Sequence, residues 1–223
     1  MTVYGTEDVA GPEGLTYATL LVRAPREAVL DALTRERFSG WVGPVEDGWV
    51  TAVPDRPRGH VAARRRRVGD LAAVVASDLH VAAVAVLVQR DRLLRLWAHD
   101  DATQVTEYLS DAHVAFPEDD DAYGTVGLQG VRGLATLAGR PDAADELTTL
   151  LADELGESES ESERLMAVSR LLGWPQWLVA VDSLPRRVPG GPDADAFARL
   201  RAGRAGLRGL LAARAASVVR RDE

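Results

Sequence analysis

Hydrophobic residues in the first half of the chain follow two different spacings. Runs rich in Val, Leu, Thr and Tyr predict strands, and Val and Leu repeated every three or four residues predict helices. Both faces of the first run are partly apolar, so we expect that strand in the centre of a sheet. The predicted strands are Leu15–Arg23, Gly48–Val53, Val81–Val88, Leu93–Ala98 and Gln104–Leu109, and the predicted helices run from Pro25 to near Gly40 and from Val61 to Leu79.

Short connections join the last three of these strands, at residues 90–92 and 99–102. Connections of that length indicate an antiparallel meander. The first half therefore predicts an α+β fold, with a mixed or mostly antiparallel sheet covered by helices.

The pattern becomes mostly helical after Ser110. Gly173 and Pro175 are expected to end the third helix of this half, and one further strand is expected after it. We interpret residues 1–187 as a single α+β domain, and residues 188–223 as a linker followed by an amphipathic, arginine-rich helix. The elements predicted here are helices at Val126–Ala138, Ala143–Leu155 and Glu163–Leu172, a strand at Trp177–Val181, a linker at Val188–Asp193 and a terminal helix at Ala194–Arg221.

Composition narrows the class of protein. The 223 residues include 46% hydrophobic residues and no cysteine, which excludes disulfides, cysteine nucleophiles and thiolate metal sites. Residues 1–16 do not have a basic start followed by an apolar stretch, so no secretory signal is expected. The longest apolar run, Val81–Val88, is too short to span a bilayer. These features favour a cytoplasmic protein.

Charge is unevenly distributed along the chain. The net charge is −8, and all 26 basic residues are arginine. Residues 1–163 sum to −14 and residues 164–223 to +6. This asymmetry indicates either a basic segment that docks on the acidic remainder or a basic interaction segment, and biased codon usage also accounts for abundant arginine. The candidate partner-binding residues are Arg64, Arg65, Arg66, Arg67, Arg201, Arg204 and Arg208.

Candidate catalytic chemistry centres on His99, which is followed by Asp100 and Asp101. With one of these carboxylates or Asp111 to orient it, His99 could act as a general base, which is the hypothesis of a small hydrolase or transferase. The chain has no pair of histidines at metal-ligand spacing, no serine elbow and no lysine for a P-loop. We therefore predict no metal and no cofactor.

The favoured function is a non-enzymatic interaction protein that binds another macromolecule, with an unidentified protein as partner. Nucleic-acid binding through Arg64–Arg67 or the last helix is a less favoured alternative, because the net charge is negative and no aromatic stacking motif lies nearby. The pattern does not predict an oligomeric state.

Four short motifs are similar to segments of a group of actinobacterial α+β proteins that has no assigned activity. The motifs are ATLLVRAP, GWVTAVP, TEYLSD and RLLGWPQWLVAV, and they lie between residues 15 and 182. The resemblance implies an α+β body and no mechanism.

Overall fold

The structure, a computed structural model, describes residues 14–116, 118–119, 121, 123–153, 160–179 and 190–205. The strands in these residues are β1 (Tyr17–Val22), β2 (Gly40–Glu46), β3 (Trp49–Pro54), β4 (Ala82–Gln89), β5 (Leu93–Asp100), β6 (Thr103–Leu109), β7 (Ala198–Arg201) and β8 (Arg204–Ala205). The α-helices are α1 (Arg26–Arg35), α2 (Val68–Leu79), α3 (Ala112–Ala115), α4 (Val131–Leu137), α5 (Ala144–Ala152) and α6 (Glu161–Leu172).

All eight strands form one antiparallel sheet in the order β6-β5-β4-β1-β3-β2-β7-β8. The predicted meander is confirmed, because β4, β5 and β6 are consecutive neighbours. The central position of β1 is confirmed as well, since this strand pairs with β3 and β4 and all six of its residues are buried. The α+β class follows from this sheet and its helices.

Helices cover the sheet on both faces. On one face, Leu20 and Val22 of β1 belong to a core cluster with the apolar sides of α1 and α2. On the other face, Tyr17 and Leu21 pack in a cluster with α4, α5 and α6. Because successive strand residues point to opposite faces, one apolar strand supplies both cores. The result is a three-layer domain with the sheet in the middle.

Local signals define the ends of the helices in the second half. At the start of α6, the Ser160 hydroxyl accepts a hydrogen bond from the Glu163 N–H at 3.2 Å, and the Glu163 carboxylate accepts one from the Ser160 N–H at 3.3 Å. This reciprocal pairing is a capping box. The helix ends at Gly173, which has the left-handed φ of 66° that favours glycine there, as predicted. Of the described helices, none has the length and apolar character that a bilayer span requires.

The strand β2 is absent from the sequence prediction, which assigns no element between Gly40 and Gly48. Gly43 and Pro44 interrupt the alternation of apolar residues that identifies a strand. The pairing with β3 shifts register between Val42 and Val45, so Pro44 lies at an irregularity where a missing N–H is tolerated. Neighbouring strands, and not the local pattern, make this segment a strand.

The helix predicted from Val61 begins only at Val68. Arg64 and Arg65 have φ values of 54° and 57°, which lie in the left-handed region and are incompatible with a right-handed helix. The Arg64–Arg67 run therefore belongs to the loop before α2 and not to a helical turn.

Two predictions for the end of the chain are wrong where the structure describes it. Residues 176–178 form a 3-10 turn and not a strand, and residues 194–205 form a 3-10 turn followed by β7 and β8 and not a helix. Since β7 pairs with β2, residues 198–205 extend the sheet. The remainder of the predicted helix, including Arg208, lies outside the described residues, as does the predicted strand after residue 179.

Candidate functional site

Exposed arginines are concentrated in four connections of the fold. Nine of the thirteen exposed arginines in the described residues lie in these connections, so they are not spread evenly over the molecule. Three of the connections are the loops α1–β2 (residues 36–39), β3–α2 (55–67) and β4–β5 (90–92). The fourth is the turn of the β7–β8 hairpin, counted together with the two strand residues that flank it (201–204). We call their eleven arginines the arginine surface: Arg37, Arg56, Arg58, Arg64, Arg65, Arg66, Arg67, Arg90, Arg92, Arg201 and Arg204.

Strand register places all four connections at the same end of the sheet. Pairing of Tyr17 with Val88 brings the β4–β5 turn to the start of β1. The register of β1 with β3 brings the end of β3 to the same level, and Gly40 pairs with both Pro54 and Leu200. The connections are therefore neighbours although residues 36 and 204 are far apart in sequence.

Backbone hydrogen bonds join three of the connections. The Ala63 N–H donates to the Glu36 carbonyl at 2.7 Å, and the Ser39 N–H donates to the Val61 carbonyl at 3.1 Å. On the other side, the Gly203 N–H donates to the Phe38 carbonyl at 2.7 Å. The α1–β2 connection thus lies between the loop of Arg64–Arg67 and the hairpin of Arg201 and Arg204.

Thr16 links the remaining connection to this group. Its hydroxyl oxygen accepts hydrogen bonds from the Arg58 guanidinium at 2.7 Å and from the Arg90 N–H at 2.9 Å. The arginine surface is therefore continuous across β2, β3, β1 and β4. A shallow groove lies in it, lined by Thr16, Asp55, Arg56, Pro57, Arg58 and Gly59.

Acidic residues compensate few of these charges. The four connections contain three acidic residues, Glu36, Asp55 and Asp91. Glu36 pairs with Arg66, Asp55 accepts from Arg199 at 2.8 Å, and Asp91 bonds to Ser162. In the described residues, the side chains of Arg37, Arg64, Arg65, Arg67, Arg92, Arg201 and Arg204 form no ion pair or hydrogen bond.

The backbone under these arginines is in an unusual conformation. Arg37, Arg64, Arg65 and Arg90 have φ between 52° and 57°. This left-handed region costs an L-residue roughly 1–2 kcal/mol and is normally occupied by glycine. Four arginines at such positions are therefore not explained by the local backbone.

The residues of the catalytic hypothesis, His99 and Asp111, lie far apart in the structure. His99 is buried on β5, 7% exposed, and this burial lowers the pKa of its imidazole. The Ser110 N–H donates to the Leu94 carbonyl, so Ser110 lies five residues along β5 from His99, or about 16 Å, and Asp111 lies one residue further away. The Asp111 carboxylate instead accepts from the Val114 N–H at 3.1 Å.

The other two aspartates of that hypothesis do not complete a site. Asp100 is exposed at the end of β5, and the Asp101 carboxylate bonds to His80 at 3.0 Å. Among the described residues, no three His, Asp or Glu side chains are arranged to hold a metal ion.

Sequence reasoning identified part of the arginine surface. It singled out Arg64–Arg67 and Arg201 with Arg204, which the structure brings to one end of the sheet. It assigned the second pair to a helix, whereas the structure places Arg201 in β7 and Arg204 in β8. It missed Arg37, Arg90 and Arg92. Their position in short connections between elements was the available signal, because loops at one end of an antiparallel sheet are neighbours.

The chain matches no protein-family model, no curated protein and no solved structure. The similarity to actinobacterial α+β proteins therefore stays a prediction, and a functional assignment depends on the site geometry.

Proposed function

We propose that the protein is a non-enzymatic interaction protein of the cytoplasm that binds an acidic surface of another protein through the arginine surface. The observation that carries the proposal is the gathering of eleven arginines against three acidic residues at one end of the sheet. Two of those acidic residues already have arginine partners. A partner with complementary negative charge would satisfy the remaining guanidinium groups.

Several residues of the arginine surface lower the stability of the fold, which supports a role in binding. Arginine replaces the favoured glycine at four left-handed positions, and Arg201 lies directly opposite Arg204 in the β7–β8 pair. Like charges in that relationship destabilise a sheet. Functional surfaces commonly retain residues that reduce stability in this way.

An acidic protein fits this surface better than nucleic acid. Single-stranded nucleic acid is typically held by exposed aromatic rings between basic residues. Phe38 is the one Phe, Tyr or Trp in the four connections, and it is fully buried. The net charge of −8 also opposes long-range attraction to a polyanion as large as DNA.

Binding of fluorescent poly-glutamate tests the proposal. The variant Arg64→Gln/Arg65→Gln removes two exposed arginines of the surface, and the control Arg132→Gln/Arg170→Gln removes two exposed arginines outside it. An exposed ion pair between an arginine and poly-glutamate contributes up to about 1 kcal/mol to the binding free energy. Because the first variant removes two such arginines, we expect it to bind roughly tenfold more weakly. The control should bind like the unmodified protein.

Equal binding by the two double variants would contradict the proposal, as would the absence of poly-glutamate binding by the unmodified protein. A parallel titration with duplex DNA distinguishes the alternative. Tighter binding to DNA than to poly-glutamate, with an affinity that falls steeply between about 50 mM and about 200 mM salt, would instead identify a nucleic-acid-binding protein.

A further inference from the structure

A second surface of different chemistry follows β6. Large hydrophobic side chains are exposed at six positions in the described residues, and four of these positions lie between residues 114 and 126. Phe116 is 49% exposed and Tyr123 is 71% exposed. Clustered apolar exposure of this kind marks interaction sites, whereas scattered single residues do not. We call His113, Val114, Phe116, Tyr123 and Val126 the aromatic patch.

Hydrogen bonds hold the backbone of the patch in place. The Ala112 N–H donates to the Gly124 carbonyl at 2.8 Å, and Leu109 forms a bridge with Val126. The rings of His113 and Tyr123 stack, with centroids 5.6 Å apart. The exposed rings are therefore presented by a segment tied to the edge of the sheet.

Acidic residues lie beside the patch. Glu118, Asp119 and Asp121 are exposed, and a shallow groove is lined by Ala115, Phe116, Glu118 and Asp119. An occupant of this groove needs apolar side chains for Phe116 and positive charge for the carboxylates. A basic amphipathic segment has that chemistry.

The chain itself contains such a segment. Residues 206–221 lie outside the described residues and contain four arginines and no acidic residue. Five large apolar residues accompany the arginines: Leu207, Leu210, Leu211, Val218 and Val219. The segment therefore complements the aromatic patch in charge and in hydrophobicity.

Geometry favours a segment from another molecule. The described chain ends in β8, and the patch follows β6, at the opposite edge of the eight-stranded sheet. Seven strand spacings amount to about 34 Å. Leu207, Leu210 and Leu211 lie at most six residues beyond Ala205, and six extended residues reach only about 20 Å. Of the five large apolar residues, only Val218 and Val219 could extend as far as the patch of their own copy, so the segment as a whole fits only the patch of another molecule. We propose that the aromatic patch binds residues 206–221 of a second copy of the chain.

Reciprocal exchange of this segment closes a two-fold dimer, because each copy offers one patch and one segment. The test is sedimentation of the full chain from about 1 to about 100 µM, a range in which mass action reveals micromolar self-association. We expect a dimer that weakens at least about tenfold in Phe116→Ser/Tyr123→Ser. The control Leu15→Ser/Val45→Ser replaces two exposed apolar residues outside the patch and should dimerise like the unmodified chain.

A second variant, Arg214→Glu/Arg220→Glu, changes only the terminal segment and tests the occupant. It should weaken dimerisation to a similar extent and leave the thermal unfolding of the domain unchanged. A monomer at the highest concentration overturns the proposal. Unchanged dimerisation of either patch or segment variant overturns it too.

The dimerisation test and the poly-glutamate test can succeed or fail separately, because they change different residues. The patch variant keeps every residue of the arginine surface, so poly-glutamate binding should survive in it. Loss of dimerisation with intact poly-glutamate binding supports both proposals, whereas a monomeric unmodified chain that binds poly-glutamate removes only the dimer.

Discussion

Arg201 and Arg204 lie directly opposite each other in the β7–β8 pair, at the edge of the sheet. Cross-strand neighbours have Cβ atoms about 4.5–5.5 Å apart, so two positive side chains repel each other there. The same hairpin contributes to the arginine surface. We therefore expect that removal of one of these two charges raises the stability of the fold and weakens binding to an acidic partner.

Replacement of Arg204 by Glu should convert the repulsive pair into an attractive one. We expect the free energy of unfolding to rise by about 0.2–1 kcal/mol, the range of cross-strand pair energies, while poly-glutamate binding weakens. Urea denaturation measures the first quantity. The control is Arg170→Glu, which makes the same change of charge at the other end of the domain and should not show this gain in stability. A loss of stability in Arg204→Glu would argue against repulsion between Arg201 and Arg204.

Glycine at Arg64 or Arg65 should stabilise the fold and weaken binding. Both residues have a left-handed φ, and relief of that conformation outweighs the extra entropy that glycine adds to the unfolded chain. We expect a gain of up to about 1 kcal/mol from each substitution in thermal or urea unfolding.

Arg92→Gly is the matched control for this prediction. Arg92 is exposed in the same surface and has no left-handed φ, so glycine there should reduce stability by roughly 0.5–1 kcal/mol. If all three substitutions change stability in the same direction, the backbone explanation is incorrect.

Gly69 should not tolerate alanine, although alanine is the better helix former by about 1 kcal/mol. An added Cβ would lie 2.8 Å from the indole ring of Trp97. That ring is held in place, because its N–H donates to Glu107 at 3.0 Å and the Arg95 guanidinium lies 4.9 Å from its centroid. We expect Gly69→Ala to lower the free energy of unfolding by about 1–3 kcal/mol.

Gly59→Ala provides the contrast. A Cβ at Gly59 would have no neighbour closer than 3.5 Å, and its φ is not left-handed. Alanine there reduces the entropy of the unfolded chain and should raise stability by about 0.4–1 kcal/mol. Equal changes in the two variants would show that the contact with Trp97 is not decisive.

We expect the buried carboxyl group of Glu161 to make the free energy of unfolding depend on pH. Its side chain is 1% exposed, and burial raises the pKa of its carboxyl group, with Ser110 and Arg164 acting in the opposite direction. A raised pKa in the folded state means that the contribution to stability is complete at low pH and is lost as pH rises through that pKa. Glu161→Gln imitates the protonated group.

Glu161 also lies 3.6 Å from the guanidinium group of Arg164, which is 5% exposed, so Glu161→Gln removes the carboxylate of a buried ion pair. We therefore expect the free energy of unfolding of Glu161→Gln, relative to that of the unmodified protein, to be higher at about pH 7 than at about pH 4. Urea denaturation at the two pH values measures this change. Glu146→Gln removes an exposed carboxylate from α5 and should show little dependence. A relative free energy of unfolding that falls from the lower to the higher pH would contradict the raised pKa.

Local patterns in the sequence were sufficient for β1, the β4–β5–β6 meander and the end of α6 at Gly173. In each case the decisive interactions are close in sequence: alternation within a strand, a short connection, or a glycine that adopts left-handed φ. The α+β class could be predicted because those elements are long and regular.

The mispredicted elements, β2 and residues 198–205, are strands because of hydrogen bonds to other strands, and the β2–β7 pairing joins segments that are distant in sequence. Gly43 and Pro44 hide β2 until β3 and β7 provide its hydrogen-bond partners. Leu200 and Phe197 have helix-like spacing with later leucines, yet residues 198–205 gain more by extending the sheet, where Leu200 is buried at 4% exposure. Tertiary contacts override local propensity in such segments.

The order of residues along the chain is enough to identify Arg64–Arg67 as a charge-rich run. That Arg37, Arg90, Arg201 and Arg204 share a surface with this run follows only from the pairing of the strands. Charge repulsion leaves no periodic signal along a chain, whereas the register of the antiparallel sheet determines which of its loops are neighbours.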